Sequence, residues 1–267
     1  MRIASALIAF FCLISTAYAE PFSAKSPSKI IVRYAISEAA LPELFAPSEN
    51  HNALLENELA QFSIDTLAEY SRIFSFELQK PVPVAFLPLK TFRNEMHSPE
   101  WAAAIFTNGS VYIGVDSHNP KFSENLRRSV RHELVHAYIA EQSAGRCPAW
   151  LDEGLAQFLE GKPNPRILRS VQNWAEKTST ALDLQSLENG FLSSDKEAVA
   201  LAYGQAFLAT RALINSSGLN SIRQYLNHLR AGHSDNEALL LAFGKDYVKL
   251  NPELNDQLLL WSSALDR

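Results

Sequence analysis

Two histidines four residues apart, in His132-Glu133-Leu134-Val135-His136, constrain this chain more than any other feature. Ser123 followed by Glu124 and Asn125 starts a helix that the apolar spacing carries to about Gln142. On a helix, positions i and i+4 share a face, so both imidazoles reach one metal ion. Glu133 is offset from that pair, where a carboxylate takes a proton from water without itself being a ligand. A two-histidine site needs a further protein ligand, and Pro148-Ala149-Trp150-Leu151-Asp152-Glu153-Gly154-Leu155-Ala156 offers one. A turn at Gly145 with Pro148 reverses the chain, so a second helix returns beside the first with Glu153 near the histidines. Its Trp150, Leu151, Leu155, Phe158 and Leu159 are free to pack elsewhere. Gly154 costs about 1 kcal/mol in a helix interior, which a close backbone approach would explain.

Other ligand sets weigh less. A third-histidine arrangement would need Gly at 139 and His at 142, where Ile139 and Gln142 stand. Glu141 and Glu160 rival Glu153, but Glu141 lies about 140° round its helix from His136. Glu160 lacks the Trp-Leu-x-Glu-Gly surroundings. His118 reads as part of an Asn-Pro turn, and His51, His97, His228 and His233 as surface or capping residues. Arg127, Arg128 and Arg131 read as a solvated helix face, and Asp152 as an exposed acid at a helix start rather than a partner of a histidine.

The first nineteen residues stand apart. Met1-Arg2 is positive, Ile3 to Ser15 is apolar, and Ala17-Tyr18-Ala19 offers small residues at a cleavage site. These are the three parts of a secretory signal peptide, with cleavage near Ala19, and the run is short for a bilayer span. The expected destination is secreted or periplasmic, with no membrane span after the signal is removed. The whole chain has 267 residues, a formal charge of −5, 47% hydrophobic and 20% charged residues. That balance suits a packed domain and argues against general nucleic-acid binding. Beyond Ala19 Cys147 is the sole cysteine, so a metal site there must be built from histidine and carboxylate.

Lys29–Ser37 alternates as a strand, and 50–78 carries helical spacing through Leu54, Leu55, Leu59, Phe62, Ile64, Leu67 and Tyr70. A short strand follows at Val82–Leu87. Ala102–Phe106 and Val111–Val115 flank Asn108-Gly109 as a hairpin. Helices are expected at 150–160, 165–178, 197–216, 219–230, 235–243 and 253–265, with a loop at 179–196. The expected fold class is α+β. An α+β lobe, 20–145, ends in the histidine helix, and a mainly helical lobe, 146–267, supplies Glu153.

HELVH followed by PAWLDEGLA resembles the gluzincin metallopeptidases, specifically the peptidase MA-like proteins related to thermolysin and aminopeptidase N. The resemblance implies a zincin-like fold binding one Zn2+ through His132, His136 and Glu153, with Glu133 as general base and acid. The sixteen residues between His136 and Glu153 are a shorter connection than thermolysin and aminopeptidase N use, and fit the smaller MA-like group better. Tyr203, in Ala202-Tyr203-Gly204, matches a tyrosine opening a later helix in these proteins and would steady an oxyanion; a half-buried aromatic is the alternative. The hairpin strand would hold an extended peptide by β-addition, a plain sheet edge being the alternative. The expected activity is hydrolysis of a peptide or protein substrate, the alternative a zinc-binding, non-hydrolytic protein that binds a peptide or partner. Oligomeric state is open.

Overall fold

The computed structural model describes residues 30–34, 49–96, 102–115, 123–161, 164–177 and 183–265, with the backbone alone at 30–34, 49–56 and 261–265. The expected signal peptide, His97 and His118 lie outside the described residues.

Four short strands form one sheet in the order β1-β2-β4-β3, namely β1 (Ile30–Tyr34), β2 (Val82–Pro88), β4 (Ser110–Val115) and β3 (Ala104–Thr107). β1, β2 and β4 run parallel, and β3 is antiparallel to β4. The parallel crossover from β1 to β2 is made by α1 (Glu49–Phe74), and that from β2 to β4 holds a short helix, α2 (Leu89–Glu95). The spacing at 89–95 gives little sign of α2, whose buried residue is Phe92. The Asn108-Gly109 turn is as expected: both residues have positive φ, +50° and +75°, the twist a two-residue hairpin needs. β3 therefore stands at the open edge of the sheet.

The histidine helix is α3 (Glu124–Gln142), started by Ser123, whose hydroxyl accepts from the Leu126 N–H at 3.2 Å. Its Leu126, Val130, Leu134, Val135, Tyr138 and Ile139 are buried. Tyr138 meets Tyr70 edge-on and stacks on Phe74, fixing α3 against α1. After α3, Ala144 and Gly145 take left-handed φ of +55° and +70°, and Pro148 caps α4 (Ala149–Leu159). The chain reverses where Gly145 and Pro148 predicted, and α4 packs back along α3.

Beyond α4 lie α5 (Pro165–Lys177), α6 (Leu187–Phe191), α7 (Lys196–Ala231), α8 (Asp235–Phe243) and α9 (Tyr247–Leu265). The expected loop at 179–196 holds a 3-10 turn, Leu184–Ser186, and α6 in its described part. α7 is two helical segments that meet at Gly218 (φ 75°, ψ 165°), a non-helical conformation that needs glycine, as the two helices expected at 197–216 and 219–230 require. α9 begins at Tyr247 rather than 253 and runs through Pro252. The proline removes one helical donor, but Tyr247, Leu250, Leu254 and Leu258 bury a continuous stripe that holds the first turn in place. One contiguous apolar core joins α1, β2, β4 and α3 to α4 and α7–α9. This α+β architecture with a helical C-terminal part is the expected class.

α4 and α7 cross very closely. A Cβ on Gly154 would stand 2.1 Å from Thr210 Oγ1 and 2.5 Å from the Ala206 carbonyl oxygen. The close approach that Gly154 permits is thus to the backbone of α7, the helix that carries Tyr203.

Candidate metal centre

α3 brings His132, Glu133 and His136 together within about one turn, and α4 lays Glu153 against the two histidines. Glu153 Oε2 is 3.3 Å from His132 Nε2 and 3.8 Å from His136 Nε2. One ligand atom from each of the three residues lies within 4.8 Å of the others. The imidazole centroids are 4.9 Å apart and steeply inclined. Among the described residues this is the one cluster of three or more such side chains able to hold a metal ion.

The other nitrogen of each imidazole is taken by a carboxylate. His136 Nδ1 donates to Asp152 Oδ1 at 2.7 Å, and His132 Nδ1 donates to Glu160 Oε2 at 2.8 Å. A carboxylate only accepts, so Nδ1 keeps its proton, and Nε2 is the nitrogen that gives up its proton to bind a metal at the common point. One sequence expectation is corrected here. Asp152 is not simply an exposed acid at a helix start, because the α3–α4 hairpin sets it against His136. Glu160 is no rival to Glu153; it belongs to His132 from behind. Glu141 accepts from the Gln79 N–H at 2.6 Å and is not in the cluster.

The arginine cluster is also no plain solvated face. Arg131 forms a bidentate pair with Glu69 of α1 and donates to the Leu159 carbonyl, and Arg128 pairs with Glu160. Arg127 lies over the Phe62 ring, 5.2 Å from its centroid. Such arginine contacts are set by which helices meet, a matter that residue spacing along α3 does not reveal.

Electrostatically the site favours positive charge. Burial by itself would lower both histidines, yet His136 is raised to about 9 by Asp152 and Glu153, and His132 is raised by Glu153, Glu160 and Glu133. Burial also pushes the Glu133 carboxyl above its ordinary value, against the pull of both histidines and a backbone N–H. For Glu153, burial is outweighed by the histidines and by the Tyr203 hydroxyl, which hydrogen-bonds to it, and the carboxyl is lowered. Glu153 Oε2 is nevertheless buried without a hydrogen-bond partner. A buried carboxylate oxygen left so, with Nε2 of both imidazoles turned toward it, suits a cation that all three atoms can share. The donor set of two nitrogens and one oxygen suits zinc.

Glu133 is held from the sheet. In the hairpin Thr107 pairs with Ser110, so Phe106, opposite Val111, turns its backbone groups to the open edge of β3. The Phe106 N–H donates to Glu133 Oε2 at 2.6 Å, and its ring lies near His136, centroids 6.4 Å apart. Opposite, Tyr203 is half-buried near the start of α7, its ring edge-on to Phe191 at 5.1 Å. Burial and the Glu153 carboxylate raise the phenol, so it stays a neutral donor. Gln157 of α4 donates to the Tyr203 carbonyl at 3.3 Å, tying that turn to the helix that carries Glu153. All five residues singled out from the sequence are therefore gathered in one place. His228 and His233 pair with each other at the end of α7 and take no part.

No curated protein matches the chain. Residues 63–259, from within α1 to within α9, match the family described as the Peptidase MA superfamily. That stretch includes the histidine pair, Glu153 and Tyr203 together with the helices that position them. With a metallopeptidase-like fold and this match over most of its length, the chain belongs to the Peptidase MA superfamily.

Proposed function

We propose that this protein is a secreted or periplasmic zinc-dependent metallopeptidase that hydrolyses peptide bonds in a peptide or protein substrate. The observation that carries the reading is the convergence of His132 Nε2, His136 Nε2 and Glu153 Oε2, with Glu133 beside them. His132, His136 and Glu153 would hold one zinc ion. A bound zinc ion supplies Lewis acidity toward a carbonyl oxygen and toward the attacking water.

The chain's own groups do the rest. Glu133, its carboxyl raised by burial, accepts a proton from the attacking water and later gives it to the leaving amine. The Phe106 N–H keeps that carboxylate aimed from the sheet edge. The Tyr203 hydroxyl, a neutral donor beside the ligand set, supports the oxyanion that develops on the carbonyl. β3, the edge strand, pairs with an extended substrate through its outward backbone groups. The α+β part up to 145 and the helical part from 146 onward act as two lobes meeting at this cleft. Secretion rests on the N-terminal sequence; among the described residues no helix is long and apolar enough to cross a membrane.

Glu133→Gln is the test. It should keep zinc and lose peptide hydrolysis by about 10²–10⁴-fold. Wild-type protein that binds zinc yet cleaves nothing in a broad peptide library would instead favour a zinc-holding protein that binds peptide without hydrolysis.

A further inference from the structure

Glu160 lies in an unfavourable place for a carboxylate. It is the C-cap of α4, where unpaired helix carbonyls concentrate negative charge, and its side chain is 9% exposed. Its Oε2 holds His132 Nδ1 at 2.8 Å. The group that makes this placement tenable is Arg128, whose Nη2 bonds the other oxygen, Oε1. Arg128 precedes His132 by one helical turn, so its side chain runs along the same face of α3 to reach Glu160. Its Nε is buried without a partner, so the guanidinium is partly desolvated for this contact. The two histidines are thus held unequally. Asp152, which holds His136, is 32% exposed and sits in the first turn of α4, where the helix dipole favours it. Glu160 has the dipole against it.

We propose that Arg128 is a positioning residue for the metal centre, acting through Glu160 to lock the His132 imidazole with Nε2 toward the ligand point. The inference rests on the zinc reading above. Without the guanidinium, Glu160 gains by turning outward to water, and His132 loses both its fixed tautomer and its ring orientation. Metal affinity therefore depends on a residue three contacts removed from the metal. Arg128 touches neither substrate nor ligand.

Zinc affinity, measured by chelator competition on the full mature protein, tests this through a double-mutant cycle. Arg128→Gln should raise the zinc Kd about 10-fold, within the range seen when outer-shell partners are lost. Glu160→Gln should weaken zinc binding at least as much, and the double variant no further than Glu160→Gln alone. Arg128→Lys should recover part of the loss. Thermal melts of the metal-free forms separate positioning from folding: the apo-protein Tm of Arg128→Gln should stay close to that of wild type while its zinc affinity falls. An unchanged Kd in Arg128→Gln, or losses that simply add in the double variant, would overturn the proposal. If wild-type protein binds no zinc, the zinc reading fails instead, and Arg128 with it.

Discussion

At the scale of single residues, each imidazole of the candidate centre has Nδ1 against a carboxylate at one end of α4 and Nε2 toward Glu153. His132, Glu133 and His136 lie within one helical turn, so their relation follows from helix geometry alone. Glu153 needed one further step, the reversal marked by Gly145 and Pro148. Asp152 and Glu160 meet histidines only because α4 packs antiparallel to α3 in one particular rotation, which the spacing within either helix leaves free. Tyr203 shows the same divide: its place near the ligand helix matched a family pattern, while its bond to Glu153 depends on the crossing of α4 and α7. If the phenol supports the oxyanion, Tyr203→Phe should lower kcat about 10²-fold with KM and zinc content nearly unchanged. Steady-state kinetics on any cleaved peptide reads this directly, and an undiminished kcat would return Tyr203 to a packing role.

At the scale of elements, positions of helices were legible and their exact ends less so. Apolar periodicity located α3, α4, α5 and α8 closely, because each buries a regular stripe or carries a clear cap. It misplaced the start of α9, since Pro252 looks like a first-turn residue while the buried stripe begins earlier at Tyr247. The break expected between 216 and 219 is where the two segments of α7 meet, because Gly218 leaves the helical conformation. The α4–α7 crossing carries the sharpest structural prediction. Gly154→Ala puts a methyl group against the Ala206 carbonyl, a backbone atom that cannot swing aside. Equilibrium denaturation should show a loss of about 1–3 kcal/mol or more, although alanine favours helix over glycine elsewhere. A stabilised variant would mean that the two helices do not approach as described.

For the whole molecule, the site is where separate parts of the fold converge: a sheet edge supplies the Phe106 N–H, α3 and α4 the two histidines and Glu153, and α7 the phenol. The α1–α3 contact that supports this convergence includes the Arg131–Glu69 pair. The Arg131 hydrogen bond holds the Glu69 carboxyl below 4.5, its ordinary value, despite some burial. The pair therefore stabilises the fold fully above that value, and its contribution is lost as the pH falls through the lowered pKa. Glu69→Gln should remove part of the acid sensitivity seen in denaturation midpoints between neutral and strongly acid pH. A variant with the same acid dependence as wild type would assign the sensitivity to other carboxylates. Composition foretold none of this layout; an ordinary balance of residues conceals a chain whose chemistry sits where helical and mixed parts join. The central claim, that His132, His136 and Glu153 form a zinc site, is tested most directly by metal analysis of gently purified protein. About one zinc ion per wild-type chain is expected, with near-complete loss in folded His136→Ala and Glu153→Ala variants. Wild-type protein without zinc, or folded variants that keep their full zinc content, would contradict it.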